Sequence, residues 1–204
     1  MLMSEFKAIE TVWHGYRFRS RLEAKWAVAF ESMRFDWEFE PEGFSIDGMR
    51  YLPDFLIHNV IIRDGWVDDL FVEVKGLPKN YDVDRMVMFS SKRPLYLVTH
   101  IPEYDPQNKP WYSDMFDECL DWPYPFNYTY IDRDNFGAFL GVNNDGRPQL
   151  FGADTRYLSN ANDLATGYAY AAARKARFEF NDRPENLREF GMARMFVDAS
   201  RNRR

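Results

Sequence analysis

The chain has 204 residues, 46% apolar and 28% charged, a balance that builds a folded core and excludes an intrinsically disordered protein. No uncharged apolar run approaches the ~20 residues a bilayer requires, and the start, MLMSEFKAIE, lacks the cationic region and apolar block of a signal peptide, so neither a membrane role nor secretion is expected. A net charge of -6 argues against a uniformly basic nucleic-acid binder, and a single cysteine, Cys119, excludes an internal disulfide and a cysteine-rich zinc site and fits a cytoplasmic protein.

Positive charge is nevertheless clustered. Arg17, Arg19, Arg21 and Lys25 lie early in the chain; Arg174, Lys175, Arg177 and the RNRR tail lie late. Residues 20–33, SRLEAKWAVAFESM, predict an amphipathic helix, with Leu22, Trp26, Phe30 and Met33 at three- and four-residue spacing. Ser20 and Glu23 form a capping box at its start. Three strands are expected next. FDWEFEPEGFSI is the first, with Phe35, Trp37 and Phe39 alternating with charges. MRYLPDFLIHNVII follows a turn at Asp47-Gly48, and DLFVEVKG follows one at Asp64-Gly65. A short helix over 81–91 and a buried strand over 94–100, PLYLVTH, complete the order helix, three strands, helix, strand.

Beyond residue 101 the composition shifts to prolines, aromatics and acids, as in DECLDWPYPFNYTY. GAFLGVNNDGRPQLFG predicts a hairpin turning at Asn144-Asp145-Gly146. Residues 160–180 predict a long helix with Leu164, Tyr168 and Ala172 on one face, and a second, short helix follows Pro184.

The strand segments carry charges that a buried strand would not keep by chance. Residues two apart on a strand share a face, so Glu73 and Lys75 point the same way as Phe71, while Val72 and Val74 point into a core. If the second and third strands pair as a hairpin, Asp54 lies on the strand beside them. Two carboxylates with a neighbouring ammonium make an oxygen-rich pocket suited to a hard cation such as magnesium. Such a cation polarises a phosphoryl oxygen and activates a bound water. The alternative is a solvated strand face bearing a weak ion pair.

Pro53-Asp54, a gap of 18 residues, then Glu73-Val74-Lys75 resembles the signature of the PD-(D/E)XK nuclease superfamily, and FRSRLEAKWAVAFE, residues 18–31, resembles the first helix of its small phage-type members. The resemblance covers residues 12 to about 100. It implies an α/β fold with a restriction-endonuclease-like core and a mixed sheet in αβββαβ order. The division it suggests is a nuclease core over 1–104, an aromatic-rich, β-containing accessory insertion over 105–158, and a C-terminal helical segment over 159–204 that packs on the core. It implies a Mg2+- or Mn2+-dependent endonuclease acting on DNA, encoded by a phage and working in the bacterial host cell. Asp54, Glu73 and the Val74 carbonyl would hold the metal, Lys75 would position the nucleophilic water, and Glu23 would contact a metal directly or through water. Arg19, Arg21, Arg174, Lys175 and Arg177 would touch DNA. Some similar proteins carry cysteine pairs that suggest a zinc ribbon; with Cys119 alone this chain cannot build one.

Two rival readings stand beside the nuclease. One is a catalytically silent binding module of the same fold, a phage protein acting on a host complex. The other is a junction resolvase or transposon-end nuclease, which would need a homodimer or a protein partner. No nucleotide cofactor is expected, because the chain has no P-loop. It has no G-x-S-x-G elbow either, and His14, His58 and His100 lack ligand spacing.

Overall fold

The computed structural model describes residues 8–63, 66–76, 82–98, 100–102, 139–151, 160–179 and 182–203. Cys119, the DECLDWPYPFNYTY segment and the turn expected at Asp64-Gly65 lie outside the described residues. The fold is mixed α/β. In chain order the elements are β1 (Thr11–Trp13), β2 (Tyr16–Phe18), α1 (Arg21–Ser32), β3 (Trp37–Phe39), β4 (Phe44–Ile46), β5 (Met49–Tyr51), β6 (Phe55–Arg63), β7 (Trp66–Val74), α2 (Val83–Ser90), β8 (Leu95–Val98), β9 (Phe139–Val142), β10 (Pro148–Phe151), α3 (Asp163–Lys175) and α4 (Arg188–Arg201).

The main sheet runs β8-β7-β6-β10-β9. β6 is its central strand. One edge pairs antiparallel with β7; the other is shared, with β3 on Phe55–Ile57 and β10, running parallel, at Ile61. β8 lies parallel to β7. Both faces are covered, which explains the nearly continuous apolar runs of β6, β7 and β8. On one face Phe55, Ile57, Val72, Val74 and Val98 join α1, α3 and α4 in the larger core. On the other, Phe71, Leu95 and Leu97 meet Met86 and Phe89 of α2, with Phe44 and Tyr51 of the β4–β5 hairpin against them.

The helix at 21–32, the β6–β7 hairpin, the α2 helix and the 139–151 hairpin stand where the sequence places them. Ser20 caps α1 by accepting the Glu23 N–H at 3.1 Å. Three expectations need correction. The first and second strands are each broken, because Glu40 adopts a left-handed φ of 45° before Pro41, and Pro53 interrupts the other. The freed pieces, β4 and β5, pair with each other around Asp47-Gly48. α3 turns a different face inward: Leu164 is exposed, and Ala165, Ala169, Ala172 and Ala173 are buried, since alanines allow α1 a close approach. α4 is a full 14-residue helix rather than a short one.

Residues 139–151 join the main sheet through β10. Their turn is set by Gly146, at a left-handed φ of 75°, where a Cβ would stand 2.6 Å from Arg201 Cγ. Arg201 of α4 donates from Nε to the Gly146 carbonyl at 2.9 Å, tying the turn to the last helix. In β6 a bulge with Asn59 at φ 56° lets Ile57 and Val60, three residues apart, face the same core.

Candidate functional site

The β6–β7 ladder stops where proline enters it. Phe55 pairs with Val72, so the same register continued would set Asp54 against Glu73 and then Pro53 against Val74. Pro53 has no N–H to give the Val74 carbonyl. The Val74 N–H instead donates to Asp54 Oδ2 at 2.7 Å, so a side chain completes the ladder and is fixed by it. Asp54 is 1% exposed. Glu73, one residue earlier on β7, is 5% exposed and accepts the Tyr51 hydroxyl at 2.8 Å on Oε2, while Oε1 pairs with Lys75 Nζ. The Lys75 backbone N–H donates to Val98 of β8 at 2.8 Å, which anchors the lysine to the sheet end.

A second tier comes from the α1 start and the β3 end. Arg19 Nη2 donates to Asp54 Oδ1, and its Nε pairs with Glu40 Oε1 at 3.1 Å. The Glu40 N–H donates to the Asp54 carbonyl at 2.8 Å, which fixes the residue in its left-handed conformation beside the site. Glu23 is buried, but its oxygens serve the capping loop: Oε2 accepts the Arg19 N–H and Oε1 the Ser20 hydroxyl, both at 2.9 Å.

Burial pushes the Asp54 carboxyl up, to about 7, and the Glu73 charge adds to the rise; Lys75, the Val74 N–H and Arg19 pull the other way. Burial and Glu73 also raise the Tyr51 phenol, keeping it a proton donor. The folded state therefore binds the Asp54 proton more tightly than the unfolded chain, whose carboxyl titrates near 3.8. Ionised Asp54 opposes folding in full above the folded value, and that effect fades as pH falls through about 7 toward 3.8. In metal-free buffer, the melting temperature of wild type relative to Asp54→Asn is expected to rise over that window. A pH-independent difference would contradict the assignment.

The structure brings together Asp54, Glu73, Val74 and Lys75 from the sequence reading. Glu23 reaches them only through Arg19. Tyr51 carried little signal in the sequence, since a tyrosine in a strand reads as packing; Glu40, near the end of the first expected strand, reads equally as facing the site or as a solvated turn, and the structure brings it to Arg19 and the Asp54 carbonyl. Among the described residues, no three His, Cys, Asp or Glu side chains form a group that could hold a metal ion. The oxygen donors at the sheet end are the two carboxylates and the Val74 carbonyl.

The two basic clusters, far apart in sequence, meet where α1 lies against the end of α3. Lys25 Nζ donates to the Arg174 carbonyl at 3.0 Å, and burial, then Arg21 and Arg174, lower its pKa. Arg174 also donates to the Pro102 carbonyl, Arg21 pairs with Glu179, Lys175 pairs with Glu189, and Arg177 is exposed. Among the described residues, no helix is long and apolar enough to cross a membrane. No family model, no curated protein and no solved structure matches the chain.

Proposed function

We propose that the protein is a metal-dependent nuclease that hydrolyses DNA phosphodiester bonds, built on a restriction-endonuclease-like core. The observation that carries this reading is the meeting of two buried carboxylates, Asp54 and Glu73, at one end of the central hairpin with Lys75 beside them. Burying carboxylates is unfavourable unless something compensates, and a core that needed only stability would place apolar groups there.

The donors fit magnesium. That ion binds through one or two carboxylates, keeps several waters and takes substrate phosphate as a ligand, so it does not require a third acidic side chain. Asp54, Glu73 and the Val74 carbonyl would hold it; when bound, it polarises the phosphoryl oxygen and lowers the pKa of a water. The chain's own groups supply the rest. Val74 N–H aims Asp54, Tyr51 aims Glu73, and the Lys75 ammonium, with one contact on Glu73, keeps two further protons for a water or a phosphoryl oxygen. Arg21 and Lys175, paired with Glu179 and Glu189, would exchange those carboxylates for the phosphate backbone, with the exposed Arg177 beside them.

One observation favours the silent binding module: Arg19 on Asp54 and Lys75 on Glu73 give each carboxylate a cation from the protein itself. A digestion panel separates the readings. Supercoiled plasmid, linear duplex, single strands and branched oligonucleotides are incubated with Mg2+, with Mn2+ and with chelator. Metal-dependent cutting of at least one substrate is expected. Intact DNA throughout, from folded protein, leaves the binding module.

A further inference from the structure

Resting on the nuclease reading, we infer that Arg19 is the resident counter-ion of Asp54, displaced when a divalent cation binds and thereby freed to hold a substrate phosphate.

The geometry makes the two occupants exclusive. Asp54 Oδ2 is committed to the Val74 N–H, leaving Oδ1 as the oxygen open to a cation, and Arg19 Nη2 sits on it. A metal ligated by Oδ1 must take the place of that guanidinium, because two positive groups cannot share one oxygen at contact distance without strong repulsion.

Arg19 is also built to leave. Its backbone is fixed, since its N–H donates to Glu23 Oε2 at 2.9 Å next to the helix cap. Its side chain is 55% exposed, so no packing locks the guanidinium. Its second contact, Nε to Glu40 Oε1 at 3.1 Å, does not involve Asp54. The arginine can therefore swing off Asp54 while Glu40 keeps it at the site. This accounts for Glu40 itself: a residue with a side chain held at φ 45° costs on the order of 1–3 kcal/mol, and such strain persists at functional sites because the surroundings enforce it. Here the enforcing contact is the Glu40 N–H on the Asp54 carbonyl.

The test measures Mn2+ binding, by calorimetry and by thermal melts without nucleic acid, in wild type, Arg19→Gln and Arg19→Lys, with circular dichroism to verify folding. Arg19→Gln is expected to bind Mn2+ about tenfold more tightly, the size of effect a neighbouring charge has on the affinity of a carboxylate for its cation. Arg19→Lys, which keeps the charge, is expected to stay near wild type. Equal or weaker Mn2+ binding by Arg19→Gln, with a normal wild-type response, overturns the counter-ion role and leaves the nuclease reading intact. No response in any of the three removes the metal site and this inference with it. A second readout follows the freed arginine. In a Lys75→Ala background that does not cut, binding of a labelled oligonucleotide is measured across a KCl series with and without Ca2+. Ca2+ is expected to steepen the salt slope by about one when Arg19 is present and not in Arg19→Gln. A slope that Ca2+ leaves unchanged in the presence of Arg19 overturns the phosphate role.

Discussion

Asp54→Asn, Glu73→Gln and Lys75→Ala are each expected to reduce metal-dependent cleavage at least about a hundredfold, since a group acting only on the transition state contributes ~3 kcal/mol or more. The fold should survive all three. Asparagine keeps an oxygen for the Val74 N–H, glutamine keeps one for the Tyr51 hydroxyl, and the Lys75 ammonium is half-buried at the sheet end. Unchanged far-UV circular dichroism and melting temperatures within a few degrees check this. Glu38→Gln is the control: Glu38 is an exposed carboxylate paired with His58 on β6, and its loss should leave the rate alone. Near-full activity in any one of the three site variants would remove that residue from the chemistry.

The largest loss of stability is expected at the residue next to the site. Phe55 is fully buried, and its ring lies edge-on to Phe30 at 5.3 Å and to Trp37 at 5.8 Å, with Phe39 at 5.2 Å. It therefore joins α1, β3 and β6 at one point. Phe55→Ala deletes a ring that rigid aromatic neighbours cannot refill, and should cost ~3–5 kcal/mol. Phe55→Leu keeps most of the volume and should cost less than about 1.5 kcal/mol. Urea unfolding of both variants measures the difference; a cost below about 1 kcal/mol for Phe55→Ala would mean that this aromatic cluster does not hold the sheet to the helix.

What the sequence disclosed and what it hid divide along a physical line. Contacts between residues near in the chain left clear marks. Ser20 and Glu23 announced the start of α1, and Asn144-Asp145-Gly146 announced its hairpin. The alternation of β6 and β7 set Glu73 and Phe71 on one face and Val72 and Val74 on the other. Breaks that depend on a single backbone angle leave little mark: Pro41 and Pro53 fall inside the expected strands, although a proline cannot donate to a ladder. The β1–β2 hairpin, turning on His14 at φ 49° and Gly15 at φ 81°, went unseen because its strands have three residues each. Nothing local in PQLF says that it will lie parallel against Ile61. In the site, the carboxylates and the lysine were legible as charges out of place in apolar strands. Their partners were not, because Arg19 reaches Asp54 across 35 positions of sequence and Tyr51 reaches Glu73 across 22.

The shared edge of β6 also bears on how the protein is made. As the chain leaves the ribosome, residues 55–63 find β7 almost at once, but Ile61 waits for β10 and the alanine-lined flank of α1 waits for α3. At elongation rates of ~5–20 residues per second, that interval is on the order of five to twenty seconds. Throughout it the nascent polypeptide shows an open strand edge and an uncovered apolar helix, the two features that recruit a neighbouring copy into aggregates. A chain ended before residue 139 would lack both β10 and α3, the partners of this edge and this flank, and is expected to aggregate.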